Sequence, residues 1–168
     1  MTPMVLLDEL KKFIEQETRD IILPVKTRPL DSGAIIERAA QVWPMRLPFR
    51  DDDIKKAPYI LLQLLNGGDS QETGKPSASE CNVRIIVCCY SENASEGAMN
   101  ILNVITRIRM ALLKKRIIGD RFTLRMPLEW LIYPDDTAPY FMGEIATIWD
   151  MPTIEREVLR NWQLENNH

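Results

Sequence analysis

Few residues in this chain are of a type and spacing that could do chemistry. The single histidine, His168, is the last residue, and chain ends are poorly held unless docked. Without a positioned imidazole, Ser-His and Cys-His mechanisms lack their general base, and a His-ligated metal has no support. Cys81, Cys88 and Cys89 have no metal-ligand spacing, and an adjacent pair in a strand points to opposite faces. They read as buried thiols that behave as small hydrophobes. Arg50-Asp51-Asp52-Asp53 sets three acids in a row, but cation loops alternate their ligands and turn at a glycine. A solvated loop or helix start is the expected reading there.

Gly74-Lys75 resembles the end of a phosphate-binding loop, and its spacing fails. Asp69 stands where the first glycine belongs, and Pro76 replaces the hydroxyl residue that would hold magnesium. No helix is expected to begin there and aim amides at a phosphate. The expectation is therefore no catalytic, cofactor-binding or metal residues, and no cofactor. A small cytoplasmic enzyme built on two carboxylates stays open, because folding can bring any two acids together. It would need a concave pocket with perturbed acids.

The chain has 168 residues with 24 Asp and Glu against 21 Lys and Arg, a formal net charge of -3. That gives no general pull toward nucleic acid or an anionic membrane. Arg107, Arg109, Lys114, Lys115 and Arg116 form one local basic cluster without interleaved aromatics. It reads as helix-end solvation, or else as a surface touching a neighbouring subunit or passing DNA. A DNA-binding module is the weaker alternative, and salt-dependent duplex binding would support it. No apolar run is long enough to span a bilayer, and Met1 to Ile14 carries Asp8, Glu9 and two lysines, unlike a signal peptide. Three cysteines without a framework suit synthesis in a reducing cytoplasm.

The elements follow from periodicity. Asn82 to Tyr90 is β-branched and apolar on both faces in its second half, which predicts a central strand. Ser91 to Gly97 is turn and helix-start chemistry, with Asn93 and Glu96 spaced as a reciprocal cap, or Ser95 as the cap. Ala98, Ile101, Leu102, Ile105, Ile108 and Leu112 then recur at helical spacing over about 93–115, and Gly119 is the expected stop. Thr2 to Thr18 predicts an amphipathic N-terminal helix with Thr2 as cap and Pro3 in its first turn. Between them, five prolines punctuate Ile21 to Tyr59; a short edge strand near Ile21 to Val25, a helix over Asp31 to Val42 and an extended connector to Phe49 are expected.

Tyr59 to Leu65 predicts a strand, followed by a long polar loop from Asn66 to Ser79. Loops of that length without structure are often functional, so Asn66, Gly67, Gly68, Asp69, Glu72 and Lys75 are candidate interaction residues. Arg121 to Tyr133 alternates as a half-buried strand with Pro127 at an edge or bulge. Pro134 to Pro139 is a turn, adding Asp135 and Asp136 to the interaction candidates. Tyr140 to Met151 closes a hairpin, and Ile154 to Trp162 reads as a short terminal helix.

The expected fold is α+β: an antiparallel-dominated sheet of about four strands with the long helix and the N-terminal helix packed on it. One domain, 1–168, is expected. It divides into an N-terminal helix and Pro-rich segment (1–57), a sheet-plus-helix core (58–152) and a C-terminal extension (153–168).

An ordered series of short runs adds a resemblance. Ala57-Pro58-Tyr59-Ile-Leu-Leu-Gln-Leu64 leads into Gly67-Gly68-Asp69, then Val83-Arg-Ile-Ile-Val87 with Tyr90, then Glu96-Gly97 and Arg107-Ile108-Arg109. Ile118-Gly119, Phe122-Thr-Leu124, Pro127-Leu-Glu-Trp130, Pro139-Tyr-Phe-Met-Gly143, Thr147-Ile-Trp149 and Met151-Pro152-Thr-Ile-Glu-Arg-Glu157 follow. Together these are similar to the tail terminator group of minor tail (neck) proteins in long-tailed phages and prophages. The similarity covers roughly Pro58 to Val158, while Ile21 to Phe49 departs from it apart from Leu47-Pro48. The resemblance implies a virion structural protein of the tail or neck, assembled in the host cytoplasm. Six copies would ring the end of the tail tube, stop its growth and face the head-tail connector protein, with DNA only in transit and no membrane contact. Another neck or tail-completion protein of the same particle is the nearest alternative.

Overall fold

The structure, a computed structural model, describes residues 2–26, 36–48, 57–134 and 138–154. In chain order these form α1 (Pro3–Thr18), β1 (Leu23–Pro24), β2 (Glu37–Arg38), β3 (Gln41–Pro44), β4 (Tyr59–Ser70) and β5 (Ala78–Tyr90). Then come α2 (Ala94–Lys115), β6 (Ile117–Ile118), β7 (Phe122–Ile132) and β8 (Tyr140–Met151). The class is α+β as expected, with a larger sheet. Six strands run in the order β3-β4-β5-β8-β7-β6, and β1 with β2 makes a separate two-stranded ladder. All six-stranded-sheet pairs are antiparallel except β3 with β4, which is parallel.

The sheet grows from β5. Val83, Ile85, Val87 and Cys89 are buried on one face, while Ile86, Cys88 and Tyr90 are buried on the other. A strand buried on both faces belongs in the interior of a sheet, and β5 is paired along nearly its whole length by β4 and β8. The helices cover the first face. From α2, Ile101, Val104, Ile105, Ile108 and Leu112 join one core with Leu6, Leu10 and Ile14 of α1 and with Ile145 and Trp149 of β8. Burying each such side chain contributes roughly 1.5–3 kcal/mol. Trp149 is fully buried, and its indole N–H donates to Thr147 Oγ1 (2.8 Å), whose hydroxyl donates to the Val83 carbonyl (2.7 Å). The buried indole therefore leaves no unmet donor.

Helix ends show what the local sequence specifies. Asn93 is the N-cap of α2, its Oδ1 accepting from the Glu96 amide at 3.2 Å. The cap is one-sided, because Ser91 Oγ takes the Asn93 amide (3.2 Å) in place of the Glu96 side chain. The helix stops at Arg116, whose φ of 58° breaks the helix while its N–H still reaches the Leu112 carbonyl. Gly119 is thus not the stop: it turns β6 into β7 with φ +57°. The apolar stripe is also rotated, since Gly97 and Val104 are buried whereas Ala98 is exposed. Thr2 is the N-cap position of α1, but its hydroxyl makes no capping bond.

Three further expectations change. Residues 36–42 carry β2 and the start of β3, not a helix, and 31–35 lie outside the described residues. Glu37–Arg38 pairs with Leu23–Pro24, and Gln41–Pro44 with Tyr59–Leu62. Partner strands across long sequence separations thus override the local helical spacing of Ile35, Ile36, Ala39 and Ala40. Trp43 and Pro44, expected in a connector, close β3. The expected loop from Asn66 to Ser79 is mostly a hairpin: β4 runs to Ser70, β5 starts at Ala78, and only 71–77 connects them. Residues 50–53 and 155–168 lie outside the described residues, and Ile154 is not helical.

Close approach of α2 to β8 depends on Gly143. A Cβ there would lie 2.4 Å from Ile105 Cδ1 and 2.9 Å from the Leu131 carbonyl oxygen. Gly143→Ala should lower stability by about 1–3 kcal/mol through overpacking. Ile105→Val, which removes the clashing Cδ1, should recover part of that loss in urea denaturation. A Gly143→Ala protein with an unchanged midpoint would contradict this packing.

Candidate interaction surface

The second face of the sheet is where the described elements leave room for a partner. Side chains alternate along a strand and directly opposed residues share a face. Glu80, Asn82 and Arg84 of β5 therefore lie beside Asp150, Ile148, Ala146 and Glu144 of β8, and Arg125, Glu129 and Leu131 of β7 continue the row. Among the described residues of these three strands, this face holds four acids (Glu80, Glu129, Glu144, Asp150) against two arginines, Arg84 and Arg125. Among the ion pairs, Arg125 bridges Glu80 through Nη1 and Asp150 through Nη2. Both bridges are largely exposed, and such pairs contribute little to stability. They do fix three strands' side chains in one plane.

A second polar knot sits higher on the same face. Arg84 donates from Nη2 to the Tyr133 hydroxyl (2.9 Å), and that hydroxyl donates to Glu144 Oε2 (2.7 Å). Arg84 Nε lies 2.5 Å from the same carboxylate oxygen, an ion pair without hydrogen-bond alignment. The Tyr133 hydroxyl accordingly titrates above its ordinary value, through burial first and the Glu144 carboxylate next. Above it the face turns apolar: Ala57, Cys88 and Tyr90 are buried with Tyr59, Tyr140 and Met142 around them. The Tyr90 and Tyr140 rings meet at 5.7 Å with a 56° tilt.

Two irregularities shape the surface. A bulge between Leu64 and Asn66 pushes Leu65 out, 58% exposed. A second bulge between Arg125 and Glu129 surrounds Pro127, the bulge or edge position that a proline in a strand demands. Between the two bulges runs a shallow trough of about 370 Å³, bordered by Leu65 and Pro127 and floored by Asn82, Arg84, Glu144 and Ala146. The trough is open to solvent, and Leu131 on the same face is 51% exposed, while Trp130, which opposes Ile145 on the other face of β7, is 45% exposed.

The interaction candidates divide between strand, turn and the rest. Asn66, Gly67, Gly68 and Asp69 belong to β4 and are exposed. Asn66 and Asn82 bond side chain to side chain across the hairpin. Glu72 and Lys75 are in the turn, tied to each other by an ion pair and by a 3.0 Å backbone bond. Asp135 and Asp136 lie outside the described residues. The basic cluster is partly spent, since Arg107 bonds Asp20 at 2.8 Å and the Glu17 carbonyl at 3.1 Å, fastening α2 to the end of α1.

The three thiols are buried, and burial raises Cys81 and Cys88 to about 11 and Cys89 to about 12. Neutral thiols of this kind are poor nucleophiles. Among the described residues no three His, Cys, Asp or Glu side chains gather as a metal site, and no helix is long and apolar enough to cross a membrane. No protein-family model and no curated protein matches this chain. The Arg84–Tyr133–Glu144 knot and the Leu65 bulge went unread in the sequence, whereas Pro127 marked the other bulge. The polar residues Glu80, Asn82 and Arg84, each two apart in β5, were the available sign of a solvated face.

Tyr133 is the centre of the knot, donating to one partner and accepting from the other. Tyr133→Phe should lower stability by roughly 1 kcal/mol, the net worth of such bonds, and shift Tm by about 2–4 °C. Identical melting of the two proteins would show that the knot is dispensable.

Proposed function

We propose that this chain is a structural protein of a phage tail. In this reading it is a tail terminator that rings the end of the tube in about six copies and meets the head-tail connector. The observation that carries the reading is the sheet face that none of the described elements covers. Its charges are linked across three strands by Arg125 and Arg84, and the exposed β4–β5 hairpin extends it. Small-molecule sites are concave and mostly apolar, whereas this surface suits a large partner approached broadside. The order of short runs shared with tail terminators supports the same assignment, and it covers β4 to β8.

The net acidity of the uncovered face fits a channel through which DNA passes. Four carboxylates against two arginines would repel a phosphate backbone and leave it free to slide. The reading assigns no catalytic residue and no cofactor, and its partners are other copies of the chain, the tube protein and the connector.

Light scattering across a concentration series, with negative-stain microscopy of the protein alone and mixed with tail tubes, tests the assignment. The expected result is a ring, free or as an added layer at one end of each tube, and tubes that stop lengthening. Rings that ignore tube ends would move the chain to another neck position. A monomer that neither binds tubes nor changes their length would contradict the assignment.

A further inference from the structure

The sheet has two edges, and each is covered over only part of its length. On one side β3 pairs with Tyr59–Leu62 of β4, leaving Gln63–Ser70 without an outer strand among the described residues. On the other side β6 pairs only with Phe122 and Thr123 of β7, leaving Met126–Ile132 likewise open. Measured along β5, the covered part of β4 lies at Ile85–Cys88 and its open part at Ala78–Arg84. The well-paired open part of β7, Glu129–Ile132, lies through β8 at Arg84–Val87. One edge is open low and the other open high.

Three properties make the two edges complementary. The first is direction. β4, β5, β8 and β7 alternate strictly, so β4 and β7 run in opposite senses. A second copy moved sideways without being turned over would lay its β4 antiparallel to this copy's β7, and the sheet would continue with the same face outward.

The second is stagger. The open stretches are centred four to five residues apart along β5, about 13–17 Å at ~3.3 Å per residue, while four strand spacings make ~19 Å. The slope is about 35–40°, within the ~35–45° strand tilt of closed barrels. The third is fit at the ends. With that stagger, β3 of one copy lies beyond one end of the joint and β6 of the next lies beyond the other, so each short strand limits the slide. Exposed Leu65 on β4 and exposed Trp130 and Leu131 on β7 supply apolar surface at the joint.

We propose, on the basis of the ring assignment above, that copies of this chain join head to tail by strand addition. Gln63–Ser70 of one copy pairs antiparallel with Glu129–Ile132 of the next. Open strand edges are templates for pairing that proteins normally blunt, and a head-to-tail contact whose rotation closes makes a ring. Here Leu65 and Leu131, on opposite edges, become neighbours across each joint.

The test uses the full chain with Leu65→Cys, Leu131→Cys or both, treated with a short bis-maleimide under assembling conditions. The native thiols are buried, and the two substituted positions are exposed, so folding should survive. A mixture of the two single variants should give one new dimer band, each single variant alone none, and the double variant a ladder ending at the ring's copy number. Leu131→Lys, placing a charge on the edge, should abolish the ladder and leave a monomer with unchanged melting. Rings without the mixed dimer would overturn strand addition and leave the ring assignment standing. A dimer from Leu65→Cys alone would mean a two-fold contact and overturn the proposal. Monomers in scattering with no ladder, even with tail tubes present, would overturn both.

Discussion

Burial of β5 on both faces is the constraint from which the rest follows. A thirteen-residue strand with six consecutive buried residues, Ile85 to Tyr90, cannot sit at an edge without exposing apolar surface and unpaired amides. It must be flanked, and β4 and β8 flank it almost end to end. The α2 helix then crosses from β5 to the far edge, so β7 and β8 fold back to fill the space between. Gly143 and Gly97 let that helix sit close. A Cβ at Gly97 would meet the Phe141 ring at 2.2 Å, so side-chain volume on β8 and α2 is matched by its absence on the partner.

Both helices lie against the same face, and this determines what is left. The helix-covered face holds the large apolar core, while the other keeps paired charges at one end and a tyrosine cluster at the other. Short β3 and β6 each cover only part of an edge strand. Among the described residues this leaves one partly polar face and two partly open edges of opposite direction, a form suited to one tile among several. The three thiols are buried, and the described acids of that face mostly pair with arginine.

Legibility followed the range of the interactions. The helices α1 and α2 and the strands β5, β7 and β8 were readable because their burial pattern is local: 3.6-residue stripes, an apolar run, an alternation broken by Pro127. Asn93 as cap was readable for the same reason. The polar half of β4 was not, because Asn66-Gly67-Gly68-Asp69 has turn composition and becomes a strand only through its ladder to Ala78–Asn82. The short strands β2 and β3 also exist through distant partners, Leu23–Pro24 and Tyr59–Leu62. The Asn66–Asp69 segment therefore takes a different form from the expected one: a paired hairpin strand where a loose loop was expected.

Amide hydrogen exchange, compared between the isolated chain and its largest assembly, tests the central claim most directly. A head-to-tail tile predicts that Gln63–Ser70 and Glu129–Ile132 slow together on assembly, while the interior amides of β5, already paired on both sides, stay as they were. An assembly that leaves both edges exchanging as in the monomer, or that slows only one of them, would contradict it.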